Sequence, residues 1–150
     1  EKQKVKRYYG VLERQFRIYF KRAERAKGNT GDMLMSLLER RLDNIVHRLG
    51  FGQSRSQARQ MIGHGHVTVN GRRVDVPSFI VKVGDVVRVK NRAKSLDMIR
   101  AAMAENSRDI PDFLGRTESD VPEGVIGRFP EMDYISNPIQ TQLIVEMCAR

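Results

Sequence analysis

Apolar residues recur at helical spacing through the first third of the chain and at alternate positions after it. Leu12, Phe16, Tyr19, Phe20 and Ala23 share one side of a helix while Arg14, Arg17, Lys21 and Arg25 share the other, which predicts an amphipathic helix with a cationic back. Its expected stop is Lys27-Gly28-Asn29, where glycine favours a C-terminal turn. Ahead of it, Lys2, Lys4, Lys6 and Arg7 run into Tyr8, Tyr9 and Gly10 as a short basic piece. Leu34, Leu37, Leu38, Leu42, Ile45, Val46 and Leu49 then form an apolar stripe for a buried helix or helix pair that Gly50 can close. Ser54 stands where an N-cap is wanted, with Gln57 as the reciprocal capping-box partner. A short helix is therefore expected from about Arg55 to Ile62, stopped by Gly63, with Ala58, Met61 and Ile62 on one face and Arg55 and Arg59 on another.

The period then changes to two. Val67-Thr68-Val69 and Arg72-Arg73-Val74 flank Asn70-Gly71, the pair that a type I′ hairpin turn favours because both central residues need positive φ. Phe79-Ile80-Val81-Lys82-Val83 and Val86-Val87-Arg88-Val89-Lys90, separated by Gly84-Asp85, add one or two further strands. An antiparallel sheet packed against the two helices is the economical arrangement.

Composition narrows the partner. The chain has 150 residues with 27 Lys plus Arg against 18 Asp plus Glu, a formal net charge of +9, so nucleic acid is the leading acidic partner. The excess is uneven: +7 over residues 1–27, −1 over 28–38, +6 over 39–90 and −3 over 91–150. The last third is accordingly expected to face protein or solvent. No apolar run approaches the roughly 18 residues of a transmembrane helix, so a soluble protein without a membrane partner is expected. The single cysteine, Cys148, can form no internal disulfide, and a reducing compartment is the default. The chain opens at Glu1 inside a charged, helix-like stretch, and the natural N-terminus is expected upstream.

Leu38 to Phe51, Ser54 to Ile62 and His64 to Val74 together resemble the RNA-binding module named after ribosomal protein S-four. That module also occurs in pseudouridine synthases, tyrosyl-tRNA synthetases and a small heat-shock RNA-binding protein. Lys4 to Phe16 and Gln142 to Glu146 resemble the first helical domain and the C-terminal signature of the bacterial-type S-four (uS-four) family of small-subunit ribosomal proteins, so the likeness covers nearly the whole chain. Met147-Cys148-Ala149-Arg150 departs from the aromatic-containing ending common in the family.

The resemblance implies an α+β protein: a helical domain (1–42) with an inserted α/β domain (43–129) in which two helices pack on a small antiparallel sheet with a basic hairpin, and a segment, 130–150, returning to the helical domain. Within the insertion it implies a helix with Leu96, Ile99, Ala102 and Met103 inward, then strands near Phe113 to Thr117 and Gly124 to Phe129. It implies a structural constituent of the small ribosomal subunit that binds rRNA early, nucleates assembly of the subunit body, and contributes to the mRNA entry path and decoding accuracy. Partners would be small-subunit rRNA, neighbouring ribosomal proteins, protein five especially, and mRNA. No cofactor, metal or obligate homo-oligomer is implied, and the setting is a cytoplasmic ribosome, an organellar one remaining open.

The candidate RNA-binding residues are Lys2, Lys4, Lys6, Arg7, Arg14, Arg17, Lys21, Arg22 and Arg25 in the helical domain, and Arg41, Arg48, Arg55, Arg59, Arg72 and Arg73 in the insertion. Arginine's planar fork suits phosphate and stacks on bases. Tyr8 and Tyr9 are candidates for base stacking, although tyrosines beside a helix are more often core. Ser54, Ser56, Gln57, Gln60 and Asn70 are candidate donors to phosphate or 2′-hydroxyl, with capping the commoner role for Ser54.

Other classes fit less well. A pseudouridine synthase needs a further catalytic domain for which no stretch is long enough. A Ser54–His64–acid triad competes with the capping role of the serine, and His47, His64, His66 and Cys148 lack zinc-like spacing. A free-standing RNA chaperone or translational repressor would do without the helical domain and the tail. A DNA-binding helix-turn-helix protein would want a longer second helix than 55–62.

Overall fold

In the computed structural model the described residues are 2–26, 29–105, 110–117 and 121–128. The chain divides into two compact units between Glu39 and Arg40. The expected return of residues 130–150 to the first unit lies outside the described residues.

The first unit contains α1 (Lys2–Tyr9), α2 (Glu13–Arg25) and α3 (Thr30–Glu39). The basic opening piece is thus itself a helix. Phe16, Tyr19, Phe20 and Ala23 of α2 are buried, as are Leu34, Met35, Leu37 and Leu38 of α3, which packs against α2. Leu12 departs from the expected stripe and is 79 % exposed. It is the N-cap of α2, with extended backbone (φ −76°, ψ 153°), so the helical period does not yet govern its direction. The α2 helix stops at Arg25, and the Lys27-Gly28 expected to end it lie outside the described residues. Asn29 caps α3, its Oδ1 accepting from the Asp32 N–H at 3.1 Å.

The second unit contains α4 (Leu42–Arg48), α5 (Arg55–Gly63), β1 (Val67–Val69), β2 (Arg72–Arg73), β3 (Val86–Val89), α6 (Ala93–Glu105), β4 (Leu114–Thr117) and β5 (Glu123–Ile126). The strands form one antiparallel sheet in the order β2-β1-β3-β5-β4, so the class is α+β. Val67, Val69, Val87 and Val89 face a core shared with Leu42, Ile45, Val46, Leu49, Ala58, Met61 and Ile62. On α6, Ile99 and Ala102 are buried while Leu96 and Met103 are half-buried.

One expectation is corrected here and another refined. Residues 79–83 are not a strand; Ile80 makes only an isolated bridge to Arg41. The first N–H groups of a helix lack intrahelical acceptors, and the stretch from Pro77 to Phe79 supplies them to α4. Leu42 donates to the Phe79 carbonyl at 2.8 Å and Asp43 to that of Pro77 at 3.1 Å. The α5 helix does end at Gly63, but the left-handed residue that closes it is Gly65, at φ +82°. Gly65 N–H donates to the Ile62 carbonyl and His66 N–H to that of Met61, at 3.0 and 3.1 Å, a left-handed closure that disfavours any side chain at 65.

Candidate nucleic-acid interface

In the second unit the arginines are organised by the first turn of α4. Asp43 is fully buried. Its carboxylate accepts from Arg41 Nε at 3.2 Å and Nη2 at 3.1 Å, and from the Asn44 N–H at 2.7 Å. Arg59, one turn into α5, brings Nη1 to 3.6 Å from the same carboxylate and donates through Nη2 to Ser56 Oγ at 3.1 Å. Asn44 Oδ1 accepts from Arg55 Nε and Nη2 at 3.0 and 2.8 Å. A buried acid and a buried amide on one helix therefore aim two half-buried guanidiniums of the next.

Asp43 and Asn44 did not stand out as site residues in the sequence. The available signal was polar: an Asp-Asn pair inside an apolar helical stripe, directly after Arg40-Arg41, has to find buried partners. The same geometry corrects Arg41. At 3 % exposure, with its fork on Asp43, it is a support for the site and is not presented to a ligand.

The hairpin supplies the second group of cations. Asn70 (φ 52°) and Gly71 (φ 82°) make the expected left-handed turn, with Val69 opposite Arg72 and Thr68 opposite Arg73. Because β2 is one of the two edge strands, both Arg72 and Arg73 are exposed, a charged edge that also discourages pairing with another sheet. A Cβ at Gly65 would lie 2.8 Å from the Arg73 guanidinium, so the glycine also makes room for that arginine. The Asn70 side chain is engaged within the fold, donating to Asp85 Oδ1 and accepting from the Val86 N–H, each at 2.9 Å.

The capping residues behave nearly as expected. Ser54 Oγ accepts from the Gln57 N–H at 3.0 Å. Gln57 Oε1 reaches back to the Gln53 N–H, at 2.5 Å, one residue before the donor a capping box uses. Ser56 and Gln60 are exposed, and Arg48 is half-buried.

In the first unit Arg14, Arg17, Lys21, Arg22 and Arg25 all lie on the exposed side of α2. Glu13 takes Arg17 Nε at 3.0 Å and also Lys6. Lys4 and Arg7 are exposed on α1; the side chain of Lys2 lies outside the described residues. Tyr9 is corrected: its ring is buried and its hydroxyl donates to the buried Glu39 at 2.6 Å, so it belongs to the core. Tyr8 is half-buried, edge-on to Tyr9 with ring centroids 4.9 Å apart. Among the described residues no group of three or more His, Cys, Asp or Glu is placed to hold a metal ion, and no helix is long and apolar enough to cross a membrane.

Two family models match adjoining stretches of the first 87 residues of this chain. Residues 1–39 match the ribosomal protein S4/S9 N-terminal domain and residues 40–87 match the S4 domain. Among curated relatives, the small ribosomal subunit protein uS4 of Thermoanaerobacter pseudethanolicus is 53 % identical over 150 residues, covering all of this chain and 72 % of the relative. At the same coverage, uS4A of Symbiobacterium thermophilum is 48 % identical and uS4 of Pelotomaculum thermopropionicum 47 %.

Proposed function

The chain belongs to the uS4 family of small ribosomal subunit proteins, a family of ribosomal components and not of enzymes, and from that premise we propose that it is a primary rRNA-binding protein that nucleates assembly of the subunit body. The observation that carries this reading is the arrangement around Asp43 and Asn44. A protein that merely needed solvated charge has no use for a buried acid and amide that set the direction of Arg55 and Arg59. Folded RNA, with phosphates at fixed spacing and accessible bases, rewards such fixed forks. The exposed cations of α2 and of the β2 edge add attraction that does not depend on sequence.

In this reading the protein acts in a bacterial cytoplasmic ribosome, beside neighbouring small-subunit proteins, protein five above all, and next to the mRNA entry path, where it influences decoding accuracy. Among the described acidic residues after 90, Asp97, Glu105 and Asp112 are exposed, which suits a surface turned to protein or solvent. The free-standing repressor or chaperone is set aside, because the relatives align over the helical unit and the RNA-binding unit together.

The test is a binding comparison of the full chain with deproteinised small-subunit rRNA, duplex RNA and duplex DNA across a salt series. If about six to eight phosphates are neutralised, log K falls against log salt with a slope near −0.7 to −0.9 per contact. The rRNA is expected to retain a clear advantage at every salt concentration. Equal affinity for all three nucleic acids overturns the proposal.

A further inference from the structure

Between α5 and α6 a cleft of about 260 Å³ is left unfilled, and its walls are chemically mixed. Met61, buried, and Met98, half-buried, give it a soft apolar side. Gln60 and His64 stand exposed at the mouth from α5 and its closing turn, and Lys94 stands exposed at the mouth from α6. His66 closes the inner end, its Nδ1 2.7 Å from the buried Ser95 Oγ and its ring 6.4 Å from that of His64. No carboxylate is among the lining residues.

Each class of ligand can be weighed against those walls. A bare phosphate calls for several converging donors and gains nothing from two methionines. A duplex or a peptide segment does not fit a space below the ~300 Å³ at which pockets begin to enclose drug-sized molecules. A single planar base suits it. Thioethers pack favourably against aromatic rings, and an imidazole can stack on a base face. A primary amide offers both donors and an acceptor to a base edge, and an ammonium at the mouth suits the phosphate that comes with the base. Burial, with Arg92, His64, Lys94 and Lys90 assisting, lowers the pKa of His66, so the inner wall is a neutral imidazole at physiological pH.

Position points the same way. Gln60 follows Arg59 on α5, about 100° further around the helix. Arg59 is turned toward Asp43 and Ser56 and Gln60 toward the cleft, so the two present adjoining faces of one helix to a bound strand. We propose that this cleft receives one unstacked RNA base, with Gln60 on its edge, His64 and the methionines on its faces, and Lys94 on the adjoining phosphate. The inference rests on the rRNA-binding reading and adds to it the kind of nucleotide read, an unpaired one.

The full chain is bound to deproteinised small-subunit rRNA and the complex probed at base edges with dimethyl sulfate, for the native sequence and for Gln60→Ala and Lys94→Ala. Both positions are exposed, so thermal midpoints should match the native value. The expected result is a protected single-stranded base that becomes reactive again in Gln60→Ala while the remaining footprint persists. Affinity should fall by about five- to tenfold, with the salt slope unchanged. Lys94→Ala should instead reduce the slope by about 0.7. Native footprint and affinity in both variants, with rRNA binding intact, overturn the base-binding cleft and leave the broader reading standing. Failure of the native chain to bind the rRNA overturns the broader reading and the cleft with it.

Discussion

Helix α2 and the α4–α5 pair both carry rows of cations, but they hold them in opposite ways. On α2 the row of Arg14, Arg17, Lys21, Arg22 and Arg25 lies open on one helix face, and Glu13, itself only partly covered, is the acid that takes Arg17. On α4–α5, Asp43 and Asn44 sit inside the fold and fix Arg59 and Arg55 from beneath. Ordering a long side chain at an interface costs about 0.5–1.5 kcal/mol. For α2 that cost falls on each binding event, whereas for α4–α5 much of it is met once, on folding. The open helix suits attraction to any phosphate backbone, and the anchored pair suits discrimination among RNA shapes.

The sharpest way to break that contrast is to remove the two acids in turn. Asp43→Ala leaves Arg41 buried without its carboxylate and is expected to cost ~3–5 kcal/mol, read as a lower urea midpoint. Glu13→Ala removes an acid from partly exposed pairs and is expected to cost no more than ~1 kcal/mol. Similar losses in the two variants would erase the distinction between anchored and open cations.

Next in size are the glycines beside the hairpin. Gly65→Ala and Gly71→Ala both place a side chain at φ +82°, at a strain cost of roughly 1–2 kcal/mol each. Only Gly65→Ala also drives a Cβ into the Arg73 guanidinium, since nothing lies within 4 Å of a Cβ at 71. Both variants should therefore lose comparable thermal stability, while Gly65→Ala loses more rRNA affinity. An equal drop in affinity would mean that the seat of Arg73 does not matter for binding.

A smaller effect comes from pH. His66 has a pKa below its ordinary 6.5, first because it is buried and then because Arg92, His64, Lys94 and Lys90 are nearby. As pH falls through about 6.5 the unfolded chain takes up a proton more readily than the folded one, so the stability His66 contributes above that pH is progressively lost. Urea midpoints measured from pH 7.5 down to 5.5 should decline more steeply for the native chain than for His66→Gln. Parallel curves would remove His66 as the cause.

Much of this was legible from residues close in sequence. The α2 period from Phe16 onward, the Ser54 cap and the Asn70-Gly71 turn each rest on neighbours within a few positions, and each formed in its expected place. What was not legible depended on distant partners. Core was the commoner expectation for a tyrosine beside a helix, but the partner that claims the Tyr9 hydroxyl, Glu39, lies thirty positions away and no local pattern names it. Residues 79–83 have strand composition, but open N–H groups of α4 take the Pro77 and Phe79 carbonyls at and just before their start, which no local pattern records. Arg41 is the exception: its partner Asp43 stands only two residues on, and what the local pattern did not record is that both are buried.

The smallest stability effects discriminate the two regions most cleanly. Arg22→Ala and Arg25→Ala should move stability by no more than about 0.5 kcal/mol, since both side chains stand exposed on α2. Each should flatten the salt dependence of rRNA binding by about 0.7–0.9 in slope, weakening rRNA and plain duplex RNA alike. Arg59→Ala should flatten the slope by a similar amount and also lower affinity in high salt, where counterion release contributes little, because it removes a fork already seated against Asp43 and Ser56. That high-salt loss should appear with folded rRNA and not with plain duplex. If Arg59→Ala and Arg25→Ala behave alike on both RNAs, the buried anchors of α4 confer no discrimination and the second unit binds by charge alone.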